Sequence, residues 1–310
     1  MRASALKALT EGPAETTAQI TAFMRGFSIE ATRPQADDLA ALTSVLPANT
    51  AVYLTAVPKL SPSELIAGAA RLRALGFEPV PHLAVRALAS RDALGDLLSR
   101  LAAQAGVRRA LVIAGDGDRA EGPFKAAIDA IESGLLQRHG IVEIGIAGYP
   151  EGHPRLSPET LDRALKAKID AAEQTGLRVH IVTQFAFDPA AILRWLHRLR
   201  ALGLEQPVRI GMAGPTGLSM LLRYARRCGV RASAQGLTQR AGLVKHLLGV
   251  NAPDRIIRAV AEACAGGRLG PIAAHFFSFS GAPATARWAA ATAAGRIVLD
   301  RAEGFGVEPP

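Results

Sequence analysis

Aromatic residues make up only 5% of this 310-residue chain, and six of its 36 basic residues are lysines. Cysteine occurs twice, at Cys228 and Cys264, with no CxxC pair and no metal-ligand spacing. That excludes a disulfide framework and a thiolate metal site, and it fits a reducing compartment. No window of eighteen residues is both apolar and uncharged, so no membrane partner is expected. At the N-terminus Arg2 and Lys7 are followed by Glu11 and Glu15 before any apolar stretch develops, which is not a signal-peptide pattern. A cytoplasmic setting is the expectation. There is no G-x-G-x-x-G fingerprint to suggest a dinucleotide fold.

What is present is a globular composition, 49% hydrophobic and 20% charged, rich in Ala and Gly. Small residues allow helices to sit close on a sheet, so an α/β layer structure is the first expectation. The net charge is +9, yet the arginines form no dense run and do not interleave with aromatics. Nucleic acid is therefore not expected as a partner. Most of these charges belong on solvated helix faces, and part of the arginine surface suits a polyanionic small ligand. Nothing in the sequence decides the oligomeric state; a homo-oligomer is possible.

Short β-rich apolar runs recur at 26–31, 51–57, 78–85, 109–115, 142–148, 178–185, 208–214 and 273–280. None alternates cleanly with charge, so each reads as a strand buried on both faces. Helix punctuation fills the gaps. Ser61-Pro62-Ser63-Glu64 is a capping box with proline at the first helical position. Gly76 is a C-terminal stop. Ser157-Pro158 and Asp188-Pro189 repeat the cap-then-proline signal, and Thr216 opens a further helix closed by Gly229. Eight strands alternating with helices over about 250 residues spell an α/β, (β/α)8 TIM barrel in one domain. The expected boundaries are an N-terminal helical extension at 1–25, a catalytic barrel at 26–300 and a tail at 301–310. The 230–272 segment is long enough for more than one helix.

Active sites of this fold lie at the carboxyl ends of the strands. That end of strand five carries Tyr149-Pro150-Glu151-Gly152-His153-Pro154, in which two prolines stiffen a loop bearing an aromatic ring, an acid and an imidazole. Other strand ends carry Glu30, Thr55, His82, Asp116 with Asp118, and Thr183-Gln184. Singly, each has an ordinary explanation: a surface acid, a core histidine, turn formers beside Gly115 and Gly117, a structural amide. Their shared placement is what points to one site.

"AGYPEGHP", followed some thirty residues later by "TQFAFD", closely resembles the methylenetetrahydrofolate reductase family. "PHLAV", "AGD", "LKAKIDA" and "HFFSFSGA" extend the resemblance from about Phe27 to Trp288. The resemblance implies a (β/α)8 barrel that binds FAD, is reduced by NADH or NADPH, and interconverts 5,10-methylenetetrahydrofolate and 5-methyltetrahydrofolate. It implies Glu30 as the general acid, with Asp116 near flavin and folate. Gln184, Asp116 and Phe187 become substrate contacts. Thr55, His82, Gly115, Asp116, Tyr149, His153 and Lys168 become cofactor contacts. Two departures stand out. "EATRPQ" replaces an aromatic-Pro-Pro run, and Ala114 stands where the family's strand-four signature has arginine. Alternatives on the same barrel are operation in the oxidative direction, a flavin-free reductase, or a folate-dependent methyltransferase.

Overall fold

The computed structural model describes residues 12–57, 60–115, 117, 119–227, 250–301 and 303–308. Eight parallel strands close a barrel: β1 (Ser28–Ala31), β2 (Ala51–Leu54), β3 (Glu78–Ala84), β4 (Arg109–Ile113), β5 (Glu143–Gly148), β6 (Arg178–Thr183), β7 (Val208–Ala213) and β8 (Ile272–Phe277). Each pairs with its sequence neighbour, and β1 pairs with β8 through Ser28–His275 and Ile29–Phe276 to shut the ring. All eight expected strands are present, and most lose a residue or more at the carboxyl end, where the backbone turns into the loops.

The signals read from the sequence act as caps. In α3 (Pro62–Ala74), Ser61 accepts from the Glu64 backbone N–H while Glu64 reaches back to Ser61. Ser157 caps α7 (Pro158–Gln174) and Asp188 caps α8 (Pro189–Ala201) in the same sense. Gly76 has φ +82°, a left-handed stop that a side chain would strain. Thr216 does not behave as a cap. It lies in a two-residue antiparallel ladder, Thr216–Gly217 with Val250–Asn251, and its hydroxyl bonds Ser280, so the next helix, α9 (Leu218–Arg227), begins only after it. Cys264 ends α10 (Asp254–Cys264). Cys228, Gly229 and most of the first half of the 230–272 segment lie outside the described residues.

Two apolar layers follow from the period-2 geometry of strands. Outward residues such as Val52, Leu54, Val112, Ile144, Ile146 and Ile210 pack beneath the helices in one large cluster. Inward residues of the same strands, Ala51, Tyr53, Val80, Leu111 and Val182, form a second, smaller cluster within the bore. Helix α1 (Pro13–Met24) adds Ile20, Phe23 and Met24 to the outer layer, against α10 and α11 (Ala282–Ala293). After α11, β9 (Ile297–Leu299) and β10 (Phe305–Val307) form an antiparallel hairpin, and Phe305 stacks on Trp288.

Glycine is required at Gly211. Its N–H donates to Thr183 Oγ1 at 2.8 Å, and a Cβ there would press into the Thr183 carbonyl oxygen and come within 2.7 Å of the Phe277 ring. Gly68, inside α3, faces only Leu54 at 3.6 Å, an ordinary contact. Gly211→Ala is expected to destabilise the fold by about 1–3 kcal/mol through overpacking. Gly68→Ala should be neutral or stabilising by up to about 1 kcal/mol from helix propensity. Thermal unfolding of the two variants checks both.

Candidate active site

Glu30 is the last-but-one residue of β1 and its side chain is enclosed by the barrel, only 7% exposed. Its Oε2 accepts a 3.3 Å hydrogen bond from the Thr55 hydroxyl, just past β2. Its Oε1 faces two imidazoles, His82 Nε2 from β3 and His275 Nε2 from β8, each at 3.5 Å. His275 Nδ1 lies 2.8 Å from Ser28 Oγ, which in turn accepts from Arg209 Nη1 at 3.0 Å.

Burial is the leading cause of every proton-affinity change in this cluster. It pushes the Glu30 carboxyl above its ordinary value of 4.5; His82 and the Thr55 hydroxyl oppose that only in part. It pushes both imidazoles below 6.5, His275 well below, helped there by the charges of Arg209 and His180. The contact is thus an acid inclined to keep its proton, set against two neutral rings, rather than an ion pair. A buried carboxyl of this kind can hold and deliver a proton near neutral pH.

The far side of the mouth is built by the β5 and β6 loops. Glu151 Oε1 accepts from the backbone N–H groups of Phe187 at 2.7 Å and Asp188 at 2.8 Å. The acid of the proline-stiffened loop therefore clamps the loop that carries Gln184. Gln184 donates its backbone N–H to Gly148 O at 2.8 Å, and its side-chain carbonyl accepts from Phe185 N at 3.1 Å, leaving the amide nitrogen without a hydrogen bond among the described residues. Phe185, Phe187, Phe277, Phe279 and Tyr224 form an aromatic cluster, with Tyr224 stacked on Phe279 at 4.0 Å. The two sides of the mouth meet through this cluster: Phe277 touches His275 edge-on at 5.3 Å and Phe185 at 5.5 Å.

Tyr149 and His153 pack edge to face at 5.2 Å, and the Arg155 N–H donates to His153 Nδ1 at 3.2 Å. Gly115, at φ +93°, would place a Cβ 3.1 Å from the Ala84 Cβ, so the end of β4 runs close against β3. Arg86, after β3, donates to the carbonyls of Gly117 at 3.0 Å and Lys125 at 2.7 Å, which ties down the β4 loop. Lys168 on α7 makes no hydrogen bond or ion pair among the described residues, and burial lowers its ammonium to about 8. Asp116 and Asp118 lie outside the described residues.

A family model described as methylenetetrahydrofolate reductase matches residues 47–263. The chain belongs to the methylenetetrahydrofolate reductase family. Among curated relatives, the 5,10-methylenetetrahydrofolate reductase of Pectobacterium carotovorum is 31% identical over 158 residues, half of each chain. Methylenetetrahydrofolate reductase 2 of Saccharomyces cerevisiae is 30% identical over 162 residues, covering 49% of this chain and 26% of that one. The 5,10-methylenetetrahydrofolate reductase of Escherichia coli is 29% identical over 164 residues, or 51% of each. The chain thus spans about half the length of the bacterial relatives and a quarter of the yeast one. A solved protein from Clostridium thermocellum, titled as binding two copies of 5-methyl-5,6,7,8-tetrahydrofolic acid, superposes with TM-score 0.56 at 15% identity over 86% of this chain and 93% of its own, which supports the barrel fold.

For this member of the methylenetetrahydrofolate reductase family, the structure brings Glu30, Thr55 and His82 into direct contact and sets Gln184 and Phe187 on the opposite wall. Tyr149 and His153 form a separate pair on the β5 loop. Sequence reasoning missed His275, Tyr53, His180 and Arg209. Strand parity held the signal for two of them: Tyr53 lies two residues before Thr55 and His180 four before Gln184, each on the face of its strand-end partner. Among the described residues no helix is long and apolar enough to cross a membrane, and no cluster of His, Cys, Asp and Glu could hold a metal.

The raised proton affinity of Glu30 gives a signed expectation. A carboxyl whose folded value exceeds its unfolded one stabilises the fold fully below about 4.5, and that stability is lost as pH rises through the folded value. Glu30→Gln removes the cost of ionisation, so its melting temperature should exceed wild type by ~2 °C or more at neutral pH, converging with it below pH 4.5. A melting series across pH checks the sign.

Proposed function

We propose that the chain interconverts 5,10-methylenetetrahydrofolate and 5-methyltetrahydrofolate, with FAD as resident cofactor and NADH or NADPH as electron source. The enclosure of Glu30 between two neutral imidazoles carries this reading, because opening the five-membered ring of a methylene-folate needs a proton donor that is still loaded at neutral pH.

The cofactor reading is supported by a half-buried ammonium, Lys168, with no partner among the described residues and suited to a phosphate, and by a glycine, Gly115, that brings backbone close at the end of β4. Thr55, His82, Tyr149 and His153 would complete the hold, with Asp116 beside them. The flavin, when bound, supplies the hydride chemistry. The chain's own residues do the rest. Glu30 protonates the folate nitrogen. Gln184 offers a free amide N–H group to the pterin edge. Phe187 and its aromatic neighbours exclude water, while Glu151 holds their loop in place before the substrate arrives, which lowers the ordering cost.

Ala114, in place of the family's arginine, favours a second reading: a flavin-free reductase on the same barrel. An absorbance spectrum separates the two. A yellow protein that bleaches on anaerobic NADH or 5-methyltetrahydrofolate supports the first; a colourless protein that FAD does not restore removes the flavin.

Two substitutions test the roles. Glu30→Gln should slow the folate half-reaction by at least about 100-fold while leaving reduction by NAD(P)H within about twofold, measured by stopped-flow absorbance. Equal loss in both halves would show that the acid is misplaced. Glu151→Ala exposes two backbone donors and loosens the Phe187 loop. It should raise the folate KM by about tenfold in steady-state assays, the worth of a hydrogen bond or two to a charged group.

A further inference from the structure

The interior of a (β/α)8 barrel is ordinarily filled by layers of branched apolar side chains. Here a hydrogen bond crosses it. The Tyr53 hydroxyl on β2 lies 2.8 Å from His180 Nε2 on β6. Those strands are four apart around the ring in either direction, so the bond spans the bore. The far end is anchored as well. His180 Nδ1 is 3.0 Å from Glu143 Oε1 on β5, and Glu143 Oε2 meets Arg109 Nε at 3.3 Å and Arg178 Nη2 at 3.4 Å. Gly145 makes the room, because a Cβ there would come within 2.9 Å of His180 Nε2.

The donors and acceptors are consistent with one tautomer. The Glu143 carboxylate, 3.0 Å from Nδ1, favours the tautomer protonated there, so a neutral His180 presents its Nε2 lone pair to the tyrosine O–H. Burial lowers the proton affinity of His180 and pushes the Tyr53 phenol up to about 12, which keeps the first neutral and the second a donor.

The ring of Tyr53 is 1% exposed and stands edge to face against both imidazoles that meet Glu30: His275 at 4.7 Å and His82 at 6.1 Å. Glu30 and Tyr53 are register partners on adjacent strands. The groups that meet the carboxyl are therefore His82, His275 and the Thr55 hydroxyl; Tyr53 lies against both imidazoles, backed by His180 with Glu143 and Arg109, and His275 is backed by Ser28 with Arg209.

We propose that Tyr53, pinned across the bore by His180, is a positioning residue for Glu30: its ring holds the two imidazoles against the carboxyl and keeps water from reaching it from beneath. The inference rests on Glu30 as the proton donor of the proposed reaction, but its principal test does not need that reaction. Burial is the first cause of the raised proton affinity of Glu30. Water admitted by removing the ring takes that back.

The test is carbon-13 NMR titration of glutamate-labelled full-length protein, with the Glu30 signal assigned by its absence in Glu30→Gln. In Tyr53→Leu the Glu30 midpoint should fall by about one pH unit, which corresponds to about a tenfold change in its proton affinity. The folate half-reaction at neutral pH should slow about tenfold with it, while reduction by NAD(P)H stays within about twofold. Tyr53→Phe, which keeps the ring and loses only the anchor, should shift the midpoint in the same direction by less. If Tyr53→Leu does not fold, Tyr53→Phe decides alone. Folded variants whose Glu30 titrates where wild type does overturn the proposal. A wild-type protein that converts no folate overturns the assigned reaction instead, and the titration still decides the role of Tyr53.

Discussion

The site depends on a carboxyl group buried in the barrel with no lysine or arginine in contact with it among the described residues. Among the described residues, the guanidinium that reaches the cluster, Arg209, is separated from Glu30 by Ser28 and His275. That order matters. A charge at 4 Å is worth ~4 kcal/mol at an effective dielectric constant of 20, enough to hold Glu30 as a carboxylate. Placed behind the serine, the same charge acts first on His275 and opposes its protonation. A protonated His275 would itself have been the unwanted cation. Burial first, and the Arg209 charge second, thus favour the proton on the acid by keeping it off the ring.

Such an arrangement is costly, and the fold separates the cost from its stability. Polar groups in the bore must be matched or they destabilise. Ser28, Tyr53, His180, His275 and Glu143 find partners across strands. Net stabilisation comes from elsewhere, from the apolar layer between strands and helices that involves nearly every element of the chain. Inward positions of the strands are thereby released from the usual demand for branched apolar residues, and the same strands carry a stable outer face and a reactive inner one.

The strands and caps were legible because their signals are local. A parallel strand covered on both faces is a short uninterrupted apolar run, and a serine or aspartate before a proline marks a helix start wherever it falls. The rim residues were legible because they sit toward the carboxyl ends of those runs or just past them. The bore was not. Tyr53 and His180 lie inside runs read for their apolar character, and His275 is hidden in "HFFSFS", where its aromatic neighbours dominate the pattern. Their meaning comes from partners on strands 127 and 247 residues away, as in Tyr53 with His180 and Ser28 with His275. Glu151 shows the reverse error: it reads as loop chemistry, and in the structure it holds a neighbouring backbone. Thr216 looked like a cap because helix onset is local, and it was drawn away by a ladder whose other strand is more than thirty residues on.

Of the two departures from the family pattern, one, "EATRPQ", follows directly on Glu30, and the other, Ala114, lies at the end of β4. Ala114 removes a positive charge at the end of β4, and Arg86, the nearby guanidinium in the described loops, has its Nε and Nη1 committed to carbonyls of the β4 loop. On the proposed reading, the hold on an anionic cofactor then falls heavily on Lys168. Its ammonium, lowered to about 8 by burial alone, is poorly compensated while no anion is near. A phosphate beside it would reverse that, raising its proton affinity as the ion pair forms. Binding and protonation are therefore coupled at this lysine, so the hold should weaken as pH rises past 8. On the same reading, the proton chemistry proposed for Glu30 sits beside His82 and His275 and has no such dependence on what α7 contributes.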